Sequence, residues 1–132
     1  MSQKNKEFST EIEVRFADID AYGHVNNAKY FTFLETARTK IFMGNFVDFM
    51  KENLLFIVVK AECSFKLPIK LGDDLRVKLW INNIGKTSFD IDYMLENFEG
   101  RLYATAKTTM VTYDDLKKTP TLLPEEFIKM VS

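Results

Sequence analysis

The sequence predicts an α+β fold, with one long helix packed on a largely antiparallel sheet of about five strands. Three observations predict it. A period-2 segment lies near the start of the chain, with Ile12, Val14 and Phe16 alternating with Glu11, Glu13 and Arg15. A single helix-period run follows, from Tyr30 to Phe49. Everything after Asn53 then alternates again, in segments parted by short turns. One helix and a sheet built mainly of hairpins bury their apolar faces against each other in two layers.

The elements follow in order. The first strand is expected over Ser9–Ala17. In the helix, Tyr30, Leu34, Ala37 and Ile41 recur at helical spacing, with Phe33 and Phe42 beside them, which makes a broad apolar face. Gly44-Asn45 is expected to stop or kink it. Val59, Ala61, Cys63, Phe65 and Leu67 alternate with Lys60, Glu62, Ser64 and Lys66 until Pro68 closes the strand. Leu71-Gly72-Asp73-Asp74 is a turn. The strand Leu75–Asn82 leads through Asn83-Ile84-Gly85-Lys86, where Asn and Gly tolerate positive φ, into the strand around Phe89–Glu96. Glu99-Gly100 turns the chain into a last strand, in which small Ala104 and Ala106 suggest a helix lying close. A short helix is expected to open at Pro124.

Bulk properties bound the function. The 132 residues suit one domain, spanning residues 1–132, and 46% apolar with 28% charged residues is an ordinary globular mixture. Twelve Phe and five Tyr can fill a core and still line an apolar pocket or a subunit interface. A net charge of −1 gives no reason to expect nucleic acid or an anionic membrane. A single Cys forms no internal disulfide, and Met1 to Phe8 lack the apolar run of a signal peptide. No stretch approaches the roughly 20 apolar residues of a membrane span. A cytoplasmic setting is expected.

The chemistry gathers between the first strand and the helix, in Asp18-Ile19-Asp20-Ala21-Tyr22-Gly23-His24-Val25-Asn26-Asn27. Nucleophile-elbow, dinucleotide and Walker motifs are absent from the sequence. One His and one distant Cys do not make a zinc site. Cys63 sits on the apolar register of its strand and reads as a buried thiol. What remains is carboxylate chemistry at a helix N-terminus. If strand geometry continues, Asp18 and Asp20 share a face, and an acid there can attack an acyl carbon or draw a proton from water. Backbone N–H groups of the first helical turn can hold the developing oxyanion. Plainer roles compete. Either Asp can pin a turn, His24 can be structural, and Asn26 or Asn27 can cap the helix. Glu35 reads as solvated, or else paired inward with Arg38.

The pattern Asp18-x-Asp20-x-x-Gly23-His24-Val25-Asn26-Asn27-x-x-Tyr30, followed by Glu35-Thr36-Ala37-Arg38, resembles the hotdog-fold acyl-CoA thioesterases of the 4-hydroxybenzoyl-CoA thioesterase family. Its His-Val-Asn-Asn run is also similar to that of plant acyl-carrier-protein thioesterases. The resemblance implies a curved sheet wrapped around the helix and a homodimer or homotetramer with active sites at the subunit interface. It implies neither metal nor organic cofactor. It maps the catalytic acid to Asp20, the carbonyl-polarising N–H to Asn27 and an assisting His to His24. Tyr22, Gly23, Val25, Asn26 and Tyr30 are the implied substrate-binding neighbours. Tyr22 stands where the carrier-protein enzymes have Asn, so the Asn-dependent part of their mechanism does not transfer. The implied reaction is hydrolysis of acyl-CoA, with basic side chains such as Lys60, Lys66, Lys70 and Arg76 meeting the nucleotide. A carrier-protein thioesterase and a non-catalytic acyl-CoA-binding module are the competing readings.

Overall fold

The computed structural model describes residues 6–132, so the expectation for Met1 to Phe8 lies partly outside the described residues. Strand β1 (Glu7–Glu11) leads to helix α1 (Asn27–Lys51). Strands β2 (Leu54–Phe65), β3 (Arg76–Asn82), β4 (Ser88–Glu96), β5 (Leu102–Asp114) and β6 (Thr119–Pro120) follow, and α2 (Glu125–Val131) ends the chain. The six strands form one antiparallel sheet in the order β1-β3-β4-β5-β2, with β6 added to β5. The sheet thus has one strand more than expected. Two-residue β6 carries no periodicity that a sequence could show.

The alternation of β3 and β4 is borne out. Val77, Leu79, Ile81, Phe89, Ile91, Tyr93 and Leu95 are all buried on the helix side. Leu34 and Ala37 of α1 meet this face fully buried. Near the C-terminal half of α1, Phe42 and Phe49 join Phe56, Phe89 and Phe127 in one cluster of edge-on and tilted rings. A helix that buries one face this widely gains most of its stability from packing rather than propensity.

Four expectations are corrected. The first strand ends at Glu11 instead of Ala17, and Phe16–Asp18 winds into a 3₁₀ turn capped through Arg15. Ile12 and Val14 remain buried, but the turn throws Phe16 outward, 82% exposed. Helix α1 begins at Asn27 and runs straight past Gly44-Asn45 to Lys51. Packing of Phe42, Phe46 and Phe49 on both sides of the glycine outweighs its cost of about 1 kcal/mol. Strand β2 begins at Leu54, five residues earlier than its alternation suggested, with a bulge between Val58 and Lys60. It lies at the sheet edge, so its residues are exposed or half-buried, Cys63 included, rather than buried. The short helix after Pro124 forms as expected, with Pro124 as its N-cap.

A polar cluster lies between the helix and the sheet. Arg38 is buried and its Nη1 donates to the Tyr93 hydroxyl at 3.1 Å, which in turn lies 2.7 Å from the Thr108 Oγ1. The inward Glu35–Arg38 pair does not form; Glu35 is exposed and Arg38 turns to the sheet instead.

Candidate active site

The junction between β1 and α1 is built by backbone hydrogen bonds. The 3₁₀ turn is closed by Asp18 N–H to the Arg15 carbonyl and Ile19 N–H to the Phe16 carbonyl. The Asp18 carboxylate, 1% exposed, accepts from the Arg15 N–H at 2.8 Å and its guanidinium at 3.3 Å. Asn26 N–H donates to the Asp18 carbonyl at 2.9 Å, so Asp18 holds the turn against the helix start. It shares no face with Asp20, because 3₁₀ winding rather than strand geometry separates the two.

Asp20 opens a tight loop. Its N–H donates to the His24 carbonyl at 2.8 Å, and Gly23 N–H donates back to the Asp20 carbonyl at 3.0 Å. Gly23 has φ of 81°, a conformation that a side chain would strain. Asp20 Oδ1 accepts the Tyr22 N–H at 2.9 Å and lies 3.4 Å from the His24 N–H. The turn-pinning role is therefore real, and it takes one oxygen. Oδ2 accepts no hydrogen bond among the described residues. The short bridge Ile19–Val25 closes the loop on itself, and His24–Lys70 ties it to the chain that follows β2.

The helix starts with its donors arranged around Asn27. Asn26 is the N-cap, and its side-chain oxygen accepts the Ala28 N–H at 2.9 Å. Lys29 N–H returns to the Asn26 carbonyl at 2.8 Å. The Asn27 N–H has no acceptor among the described residues. It is one of the orphan donors of a helix N-terminus, where the macrodipole favours negative charge.

Asp20, Tyr22, His24, Val25, Asn26, Asn27 and Tyr30 line one cleft of about 510 Å³. Gly23 shapes the loop without lining it. Tyr22 is 87% exposed at the rim, whereas Tyr30 is 2% exposed at the back. Burial raises the Tyr30 hydroxyl above its ordinary pKa, so it stays protonated. The opposite wall is Phe65-Lys66-Leu67-Pro68, of which sequence reasoning named only Lys66 and missed Phe65, Leu67 and Pro68. Phe65 stands edge-on to Tyr30 at 4.8 Å. Nothing local marked this stretch beyond Pro68 closing a strand, since it reaches Asp20 only through the fold. Of the basic residues expected near a nucleotide, Lys66 lines the cleft, and Lys70 sits just beyond it. Arg76 does not belong there. It is bound to buried Glu96 at 2.9 Å and lies over the Phe98 ring. Lys60 is exposed on the edge strand and does not line the cleft. Burial pushes the Cys63 thiol up to about 11, which leaves it protonated and poorly nucleophilic near neutrality.

A helix wrapped by an antiparallel sheet, with an acid facing its N-terminus across a cleft, defines a hotdog-fold thioesterase domain. Residues 14–131 match the Thioesterase-like superfamily, and the chain belongs to it. Among its relatives, the acyl-CoA thioester hydrolase YbgC of Escherichia coli O6:H1 is 30% identical over 124 residues, 92% of each chain. The long-chain acyl-CoA thioesterase FadM of Escherichia coli K12 is 32% identical over 108 residues, covering 80% of this chain and 82% of the other. A thioesterase from Thermus thermophilus, crystallised with coenzyme A and zinc, superposes with a TM-score of 0.79 at 28% identity, covering 93% of this chain and 90% of that one.

Proposed function

We propose that the protein hydrolyses an acyl-CoA thioester to a free acid and coenzyme A. One observation carries the reading: a carboxylate oxygen and an unpaired helix N-terminal amide line the same cleft. The thioester carbonyl oxygen accepts a hydrogen bond from the Asn27 N–H, which stabilises the oxyanion that forms on attack. Such a donor is worth on the order of 3 kcal/mol in studied enzymes. The Asp20 carboxylate acts through Oδ2, either taking a proton from the attacking water or attacking the carbonyl carbon itself. Collapse of the tetrahedral species breaks the C–S bond and the sulfur leaves as thiolate, which takes back the proton Asp20 drew from water; on the nucleophilic route the acyl–Asp20 anhydride left behind is hydrolysed by water to the free acid, and that water supplies the proton. His24, whose ring has no hydrogen-bond partner among the described residues, orients the water. Tyr30 and Phe65 supply the apolar wall beside the carbonyl. The acyl group enters between that wall and the helix.

The test is Asp20→Asn. Asn keeps an Oδ1 acceptor for the Tyr22 N–H and so keeps the loop, but it cannot act as base or nucleophile. Turnover of acyl-CoA should fall by about 10²–10⁴ with an unchanged melting temperature. An undiminished rate removes Asp20 from the mechanism. Single turnover in ¹⁸O-labelled water separates the two routes, since label in the Asp20 carboxylate marks it as nucleophile.

The working unit we propose is a homodimer formed at β2. This strand lies at a free edge with Ile57, Val58 and Val59 exposed. Beside it α1 exposes Met43, Val47 and Met50 at helical spacing. An uncovered apolar edge is an aggregation hazard that pairing removes. No described helix is long and apolar enough to cross a membrane. The unpaired Cys63 thiol suits a reducing cytoplasm.

A further inference from the structure

The cleft makes no use of Glu35-Thr36-Ala37-Arg38. Arg38 is 8% exposed, and its hydrogen bond to the Tyr93 hydroxyl at 3.1 Å ends on a neutral acceptor. It has no carboxylate partner among the described residues. A guanidinium carries several N–H donors and keeps its charge when buried, so one hydroxyl leaves it short of a counter-ion. Glu35 is the reverse case. It is an exposed carboxylate with no partner among the described residues.

Both lie on the side of α1 that faces β2. Phe31, Glu35, Arg38, Phe42, Phe46 and Phe49 recur every three or four residues and form one stripe. The C-terminal end of the stripe is covered, since Phe46 and Phe49 stand edge-on to Phe56 of β2 at 5.4 and 5.7 Å. The N-terminal end is open, with Phe31 39% exposed. Ala61 of β2 pairs in register with Thr108, whose Oγ1 lies 2.7 Å from the Tyr93 hydroxyl. Its methyl group therefore sits on the helix side of the sheet, beside the buried cluster. Ala61 is nonetheless exposed, because β2 is an edge strand. A small residue at an uncovered edge leaves the cluster within reach of a second chain.

Resting on the dimer put forward above, we propose that Arg38 forms an ion pair with Glu35 of the partner subunit, twice across the two-fold axis. Such an axis pairs β2 antiparallel with its copy and makes every contact twice. Pairing along the whole strand puts the axis near the bulge between Val58 and Lys60, with Ala61 close to it. Arg38 stands at the middle of α1 (Asn27–Lys51), so the same axis brings the centres of the two helices together. The two Arg38 charges then approach each other and need acids between them. Glu35 is the carboxylate of the stripe, one helical turn away. Asp48 already faces Lys51 at 3.9 Å, and Glu62 lines a cleft on the opposite sheet face with Asp92 and Lys107. Ile57, Val58 and Val59 hold an edge together without choosing a register, whereas a buried acid and base must meet. Register matters to the active cleft, because β2 ends at Phe65 in its wall.

Sedimentation of the full chain over a dilution series measures the dimer Kd. Glu35→Gln should weaken the dimer about a hundredfold, roughly tenfold for each of the two pairs, with wild-type circular dichroism. Added salt should weaken the wild-type dimer more than the variant's. Charge reversal tells which chains pair. Glu35→Arg alone and Arg38→Glu alone should each sediment as monomers. An equimolar mixture of the two should dimerise, since every site again holds one acid and one base. A pair formed within one chain gives no such rescue. If Arg38→Glu does not fold, Glu35→Gln and its salt response decide. A wild-type Kd for Glu35→Gln, an equal salt response, or a mixture of folded chains that stays monomeric overturns the ion pair and leaves the dimer standing. A wild type that is monomeric at every concentration overturns the dimer and the pair with it.

Discussion

Single residues here carry two duties or none. Asp20 both pins a loop and faces the cleft, and the two oxygens divide the work. Asp18, two residues away, is wholly structural. Cys63 is silent at neutral pH. With its thiol pushed up to about 11, only about one molecule in a thousand is thiolate at pH 8. Cys63→Ala should therefore keep wild-type turnover, and iodoacetamide labelling of the native protein should stay slow until the pH passes 10, which mass spectrometry would follow. The sign for stability is the reverse of a paired carboxylate's. The unfolded thiol ionises near 9.0 and the folded one near 11, so the unfolded chain holds fewer protons between them and stability declines as pH rises through that window. Tyr93→Phe tests the buried polar group. It would strip Arg38 and Thr108 of a shared partner and should cost about 1–3 kcal/mol, read from chemical denaturation.

At the scale of elements, α1 is the informative case. Its Gly44 is exposed, and a Cβ added there would meet nothing within 4 Å. Gly44→Ala should accordingly stabilise the protein by about 0.5–1 kcal/mol, measured by urea unfolding at fixed protein concentration. The sequence-based stop at Gly44-Asn45 misled because a local breaker signal competes with packing, and packing of Phe42, Phe46 and Phe49 won. The first strand failed for the opposite reason. Its alternation of Ile12 and Val14 held for burial, but the strand ends at Glu11, and the turn after Arg15 changed where Phe16 and Asp18 point.

The whole molecule depends on two assemblies of apolar surface, one closed and one open. Phe127 of α2 closes the first, with ring centres 4.8 Å from Phe56 and 5.0 Å from Phe89. Phe127→Ala should cost about 3–5 kcal/mol by calorimetry, although α2 is far from the catalytic junction in sequence. The open surface is the β2 edge with its neighbouring face of α1. Light scattering should report twice the chain mass for the wild type, and Ile57→Lys, which puts a charge into the proposed pairing edge, should shift it toward monomer.

The sequence alone determined the order of helix and strands, and it determined that acid, His and helix start lie together. Both are matters of short range: a period of two or 3.6 residues states which side chains share a face, and Asp20 to Asn27 is one continuous stretch. Only the tertiary structure decided the rest. It placed β2 at an edge, so alternation that promised burial delivered an exposed strand. It brought Phe65 to Pro68 across from Asp20. Alternation marks a face but carries no label for the strand that will lie next to it. Neighbours distant in sequence are chosen by pairing and packing of the whole chain.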